Sequence, residues 1–248
     1  MKKILYYILN LTFHTLDREI IKYIVKDKSL IIFDVGCYRG VFFKRIYKQI
    51  SGKKRESKFY VFDINKNVKK YIYSFLKLKN FFYNEIALSN KNGKDKYNYN
   101  AFFESSGSSL SNLYRNDKMW VLSRKYFLKV FFQNTNNYQN YKVPTITLDS
   151  FVKKEKIKFI SVLKVDVDGS EKQVLYGAKK NLKKNKIKII LIEINDKKNH
   201  YTKKEKQIIN FLKNYNFELI KKHIMFTPSF LSNMRSGDYL FINKKFRG

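Results

Sequence analysis

The chain has a single cysteine, Cys37, among 248 residues, so no internal disulfide can form and the fold must rest on its buried core. Such cysteine usage fits a reducing cytoplasm. No window holds the roughly 20 apolar residues that a membrane-spanning helix needs. Acidic residues are scarce as well: 20 Asp and Glu stand against 52 Lys and Arg, a formal net charge of +32. That imbalance is ordinarily the footprint of a polyanion such as nucleic acid or an anionic membrane. Arginine, the residue suited to bidentate phosphate recognition, is nonetheless rare, with 8 Arg against 44 Lys. Together with 24 Asn, the lysines read as a solvated coat over the surface. Such a coat favours acidic ligands, and favours them less as salt rises.

Met1 to Leu9 start like a secretory signal, with two lysines ahead of an apolar run. Asn10, Thr12, His14, Asp17 and Arg18 break the run, and no small-residue cleavage site follows. An amphipathic helix over about Lys3 to Val25 is expected instead, within an N-terminal segment of residues 1–27. It would pack on the main domain or cover its substrate entrance, with contact to a membrane surface as the alternative.

Over residues 28–248, short apolar runs alternate with longer amphipathic ones, the rhythm of a mostly parallel sheet with helices on both faces of one α/β domain. Seven strands are predicted: Leu30 to Val35, Phe59 to Phe62, Phe81 to Leu88, Phe159 to Val165, Lys188 to Ile194, Phe217 to Lys221 and Tyr239 to Ile242. Helices are predicted over Val41 to Ile50, Lys66 to Leu78, Glu171 to Leu182 and Lys203 to Asn214. Residues 89–145 break the rhythm with Asn92-Gly93, the polar run Glu104 to Ser109 and the Asn-rich Gln133 to Asn140, all loop chemistry. Long insertions of this kind in compact domains are functional or disordered, and this one is assigned to substrate recognition.

Ile31 to Gly40 reads as an apolar strand running into Asp34-x-Gly36-x-x-x-Gly40 and then a helix. Gly36 lets the chain turn sharply off the strand, and Gly40 lets the helix start lie close to a ligand. The third glycine of a dinucleotide fingerprint, which brings a pyrophosphate onto a helix N-terminus, is missing. S-adenosyl-L-methionine has no phosphate, carries a sulfonium cation and ends in a zwitterion, so an acid just before the turn, Asp34, suits it better. The second strand ends at Asp63, after a loop lengthened by Ser51 to Ser57. A carboxylate there can accept both ribose hydroxyls or cap the following helix, and its place after Asp34, Gly36 and Gly40 favours the ribose.

After the insertion come Thr147-Leu148-Asp149-Ser150-Phe151 and the strand Phe159 to Val165, which exits into Asp166-Val167-Asp168-Gly169-Ser170-Glu171. In a parallel sheet ligands sit at the C-terminal edge, so Lys164, Asp166, Asp168 and Glu171 gather beside Asp34 and Asp63. Carboxylates so placed also suit a hard cation, although no metal is assigned.

These residues resemble the FkbM family of methyltransferases. The family pattern runs roughly Leu-Asp-x-Phe, a gap, Lys-x-Asp-x-Glu-Gly-x-Glu, then x-x-Leu-x-Gly-Ala and an apolar strand ending in Glu. This sequence supplies Leu148, Asp149, Phe151, Lys164, Asp166, Gly169, Glu171, Leu175, Gly177, Ala178 and Glu193 in that order. It departs at Asp168, where Glu is usual, and at Ser170, where a small apolar residue is usual. Asn84 to Ser89, the serine run before Leu110 and Gly237 to Phe241 add matches, so the resemblance covers about Ile31 to Lys244. It implies a Rossmann-like class I methyltransferase fold and S-adenosyl-L-methionine as donor. The implied acceptor is an alcohol on a sugar or natural product, such as an acidic or phosphate-linked capsule or lipopolysaccharide glycan. It further implies adenine near the turn of Glu85 to Ala87.

Methyl transfer is an in-line displacement whose rate comes largely from alignment, helped by a general base near the acceptor oxygen. Asp166, Glu193 and His200 are the candidate bases, and Asp166 is also a candidate for the cofactor's amino group. Lys164, Asp168 and Glu171 are assigned to the substrate, with Lys164 paired to one of the acids. A nucleic-acid methyltransferase would account for the charge, yet the Asp/Asn-Pro-Pro-aromatic motif of many such enzymes is absent, the only prolines being Pro144 and Pro228. A basic nucleic-acid-binding module would need neither the Asp34 turn nor the acidic edge.

Overall fold

A computed structural model describes residues 16–50, 56–100, 108–111, 113, 118, 121–122, 138–225 and 233–247. The first half contains α1 (Leu16–Ile24), β1 (Ser29–Val35), α2 (Val41–Ile50), β2 (Glu56–Phe62), α3 (Lys69–Ile72), β3 (Phe81–Asn84), β4 (Ala87–Leu88) and β5 (Gly93–Asn100). The second half contains β6 (Tyr138–Ile146), α4 (Leu148–Lys154), β7 (Ile160–Val165), α5 (Glu171–Tyr176), α6 (Lys179–Lys183) and β8 (Ile187–Lys197). It closes with α7 (Lys198–Lys213), β9 (Phe217–Met225) and β10 (Met234–Asn243).

Seven strands form the main sheet in the order β3-β2-β1-β7-β8-β10-β9, parallel except for β10, which runs against both neighbours. The expected seven-stranded, mostly parallel sheet is therefore observed. Its central strands are apolar on both faces because both are covered. On β8, Ile190 and Ile192 pack into one core with Phe151 of α4 and Ile208 and Leu212 of α7. Ile189 and Leu191, facing the other way, join Ile20 of α1 and Phe43 and Ile46 of α2. The chain steps outward from β1 to β2 and β3, then returns to β1's other side at β7. That reversal is the topological switch point, and ligands of open α/β sheets sit there, beyond the strands' carboxyl ends. Among the described residues, no helix is long and apolar enough to cross a membrane.

Several expectations need correction. Phe81 to Leu88 is not one strand: it leaves the main sheet after Asn84, and β4 joins a second sheet of order β4-β6-β5. The expected irregular insertion thus begins and ends in strands, β5 pairing antiparallel with β6 from Gly93↔Thr145 to Asn100↔Tyr138. Glu104 to Gly107 and Gln133 to Asn137 lie outside the described residues, as do residues 1–15 of the expected N-terminal helix. The described part, α1, buries Leu16, Ile20 and Ile24 against the domain. Lys66 to Leu78 forms short α and 3-10 turns rather than one helix, and Glu171 to Leu182 breaks at Gly177-Ala178. The break frees the Gly177 carbonyl to accept the Asp149 N–H at 2.9 Å. Asp149 returns three bonds, its carboxylate accepting Lys180 N–H at 2.8 Å, Asn181 N–H at 2.9 Å and the Asn181 side-chain amide at 2.5 Å. Its motif position is therefore a structural tie between α4 and α6, not chemistry.

Candidate active site

The switch point is built backbone on backbone. Gly36 turns off β1 with φ +76°, and a Cβ there would fall on the Asp166 carbonyl, 2.9 Å from its carbon and closer to its oxygen. Asp166 N–H bonds back to Val35 O at 3.0 Å, so the exits of β1 and β7 are locked together. Beyond them opens a cavity of about 300 Å³, at the small end of ligand sites. Gly36 and Asp63 line one side, Asp166, Asp168 and Glu193 the other. Tyr97 and Ser108 to Leu110 of the insertion close it. Four of its lining residues are acids, and among the described residues no Lys or Arg lines it, in a chain with 52 of them.

Asp63 is held in place by two backbone donors: its carboxylate accepts Tyr38 N–H at 2.9 Å and Asn65 N–H at 3.0 Å. Oδ2 also accepts the Cys37 thiol at 3.9 Å, and Oδ1 keeps a further lone pair for the cavity. Burial raises its pKa to about 6, outweighing those donors. Asn65 itself caps the next turn, its side chain accepting Asn67 N–H.

Lys164 anchors the opposite wall from behind. Its ammonium lies 3.0 Å from Asp166 Oδ2, 3.3 Å from Asp34 Oδ1 and 3.0 Å from Gly36 O. Burial opposes that charge, but the Asp166 and Asp34 carboxylates more than offset it and hold the ammonium above its ordinary pKa. Burial, reinforced by the charges of Asp166 and Asp238, pushes the Glu193 carboxyl well above its ordinary pKa and favours the protonated form, which hydrogen-bonds Asp166. Asp238, in register with Glu193 across β10 and β8, rises to about 7 through burial and the neighbouring Asp166. Asp17 of α1, paired with Arg45, completes the cluster, burial raising its carboxyl too.

Residues 34–219 match the family model of the methyltransferase FkbM domain. The chain belongs to this family. Among solved structures it is similar to the methyltransferase FkbM from Methylobacillus flagellatus KT, at 9% identity and a TM-score of 0.48, over 86% of this chain and 44% of that one. It thus spans less than half that protein's length. It is also similar to TrmK of M. capricolum, solved with S-adenosyl-homocysteine, at 12% identity and a TM-score of 0.45, over 94% and 69% of the two chains. The N-methyltransferase NodS from Bradyrhizobium japonicum WM9 is similar at 6% identity and a TM-score of 0.44, over 92% and 93%. No curated protein matches the sequence.

In this FkbM methyltransferase domain, the residues expected at the site divide into those that line the cavity and those that support it. Gly36, Asp63, Ala87, Asp166, Asp168 and Glu193 are brought together around it. Asp34 lies fully buried behind Lys164, and neither lines the cavity. Gly40 packs over the Phe43 ring, away from the opening. Glu85 points out to Lys69 at 2.7 Å. Glu171, also fully buried, accepts Gly169 N–H at 2.6 Å and the Lys204 ammonium at 2.7 Å, leaving substrate nothing to bind. His200 is exposed and lines a different cavity, so the structure does not join it to Asp166 and Glu193. Tyr38, Tyr97, Asp238 and the Ser108 to Leu110 wall were not assigned to the site from sequence. Asp238 and the serine run belong to family-like segments, the signal that could have found them. Among the described residues no group of three or more His, Cys, Asp or Glu is arranged to hold a metal ion.

Proposed function

We propose that the protein transfers a methyl group from S-adenosyl-L-methionine to a hydroxyl of a cytoplasmic sugar or glycan precursor, of capsule or lipopolysaccharide type. The observation that carries this reading is the acidic cavity at the switch point of a strongly basic chain. A pyrophosphate would be repelled there, whereas a sulfonium and an ammonium are attracted. The residues fit the donor: Asp63 Oδ1 has a lone pair for a ribose hydroxyl, Ile86 to Leu88 offer an apolar edge for adenine, and Asp166 and Asp168 face the cationic part. When bound, the donor supplies a methyl group on a cationic sulfur leaving group.

The chain's own residues then orient the acceptor and move its proton. Asp166 takes the hydroxyl proton as the new oxygen–carbon bond forms, a contribution of about 10²- to 10⁴-fold. Glu193, in its protonated form, steadies the charge on Asp166 before the step, and Lys164 holds the carboxylate in position from behind. The Tyr97 and Ser108 to Leu110 wall narrows the access of water. Calorimetric titration is expected to show one site per chain for S-adenosyl-L-methionine and S-adenosylhomocysteine, and failure of both to bind would overturn the reading. Mass spectrometry of glycans from cells with and without the gene is expected to show the loss of one methyl. An unchanged glycan profile beside an undermethylated RNA would move the acceptor to nucleic acid.

A further inference from the structure

A second cavity lies against the first, across the Asp166 to Glu171 loop, and its charge has the opposite sign. Asp168 and Ser170 line the acidic cavity while Gly169 between them lines the other. The loop is drawn tight by left-handed backbone at Asp168 (φ +49°) and Gly169 (φ +104°), and the Asp168 carbonyl accepts Ser111 Oγ–H at 3.1 Å. The second cavity is the roomier, about 660 Å³. Lys172, Lys197, Lys203, Lys204 and His200 line it against a single acid, Asp196.

The ammonium of Lys204 is already used by Glu171 Oε2 at 2.7 Å and Asn195 O at 2.6 Å. Asp196 accepts Lys197 N–H at 2.7 Å through Oδ1 and keeps its charge, one acid against the cavity's lysines. The remaining three lysines have no carboxylate partner among the described residues, and Lys172 donates to the neutral Gln207 at 3.0 Å. Lys172, whose ammonium also lies 5.9 Å from the centroid of the Tyr176 ring, and Lys197 are partly buried along their stems and present charge to the cavity that no carboxylate of the described residues neutralises. Among the described residues, two well-buried ammonium groups are matched by carboxylates, Lys164 with Asp34 and Asp166 and Lys188 with Asp27 at 2.7 Å, while Lys44 is held by the Arg39 and Tyr71 carbonyls. A concave group of unmatched lysines beside the reacting centre calls for an anion from outside the chain.

We propose that this second cavity is the acceptor subsite and binds an oxyanion carried by the sugar, a phosphate monoester or a carboxylate, through Lys172, Lys197 and Lys203. This deepens the methyltransferase reading and rests on it. The two cavities adjoin at Asp168, Gly169 and Ser170, and Glu193 and Asp196, on opposite faces of β8, are about 10 Å apart along the strand at the usual rise. An acceptor whose hydroxyl meets the Asp166–Glu193 pair can therefore place its anionic group among the lysines. Opposite charge in the two cavities also sorts the reactants, since each repels the other's ligand.

The test is calorimetric titration of the full chain, first with S-adenosylhomocysteine and then, saturated with it, with glucose, glucose 6-phosphate and glucuronate. At least one charged sugar is expected to bind tenfold or more tightly than glucose, and the stronger of the two tells phosphate from carboxylate. The preference is expected to vanish in the triple variant Lys172→Gln, Lys197→Gln, Lys203→Gln while the affinity for S-adenosylhomocysteine stays unchanged, which also shows that the variant is folded. Parity among the three sugars, or a preference that survives the triple variant, overturns the subsite alone. A short RNA that binds through these lysines while the sugars stay at parity overturns it in favour of a nucleic-acid acceptor. No binding of S-adenosylhomocysteine in the first titration overturns the methyltransferase reading and the subsite with it.

Discussion

Replacing Asp63 with Asn separates ligand binding from fold support, because the two roles predict opposite signs. Burial lifts the Asp63 pKa from 3.8 to about 6. The folded chain thus binds this proton more tightly than the unfolded one, so stability falls as pH rises from about 4 through about 6. At 1.36 kcal/mol per pKa unit the full shift amounts to about 3 kcal/mol. The side chain faces a solvent-filled cavity, which screens the penalty to about 1 to 2 kcal/mol. The amide of the Asp63→Asn variant does not titrate, so the stability of the parent relative to the variant should fall by that amount between mildly acidic and neutral pH. A constant offset of about 1 kcal/mol against the variant is also expected, since an amide cannot accept both Tyr38 N–H and Asn65 N–H. Ligand affinity should move the other way: loss of a charge-assisted bond to the ribose weakens S-adenosylhomocysteine binding tenfold or more, about 1.4 kcal/mol. Urea unfolding at several pH values and calorimetry at neutral pH measure the two. A variant with parent affinity and no pH-dependent difference in stability would return Asp63 to capping the turn that follows it.

Asp166→Asn should abolish methyl transfer even at saturating S-adenosyl-L-methionine, and turnover at the parent rate would remove it from the chemistry. Gly36→Ala should cost about 3 kcal/mol or more in urea unfolding, from the strain of φ +76° and the collision with the Asp166 carbonyl; a cost under about 1 kcal/mol would mean that the two strand exits separate freely. Glu171→Gln leaves Lys204 charged and buried beside Gly169, and a loss of about 3 kcal/mol is expected by thermal unfolding. Parent stability in that variant would return Glu171 to the substrate.

How far sequence reasoning reached depended on where each residue stands along its strand. β1, β7 and β8 were legible because a strand buried on both faces is written as an unbroken apolar run, and the acids directly after such runs, Asp63 and Asp166, reach the cavity. Asp34 is two residues short of the turn and ends up fully buried behind Lys164. Asp238 was passed over because the edge logic was applied to parallel strands: β10 runs the other way, so its early residues arrive at the ligand edge. β5 and β6 escaped notice because Gly93 pairs with Thr145, far along the chain, and the Lys94 to Asn100 stretch has no apolar run of its own. His200 is of a residue type suited to a general base, but residue type says nothing about which side of the Gly169 loop it occupies.

That loop has a consequence for how such a domain can diversify. One short stretch, Asp166 to Glu171, serves as a party wall: Asp166 and Asp168 line the acidic cavity and Gly169 backs onto the other. A Cβ at Gly169 would lie 2.5 Å from Ser111 Oγ and 3.0 Å from Leu113, and φ +104° strains any other residue there, so a side chain at this point of the wall is disfavoured. New acceptor preferences must then arise on the far side, from α7 and the segment around Ser111. Engineering of acceptor choice should begin at Lys197, His200 and Lys203, whose replacement leaves every donor contact in place.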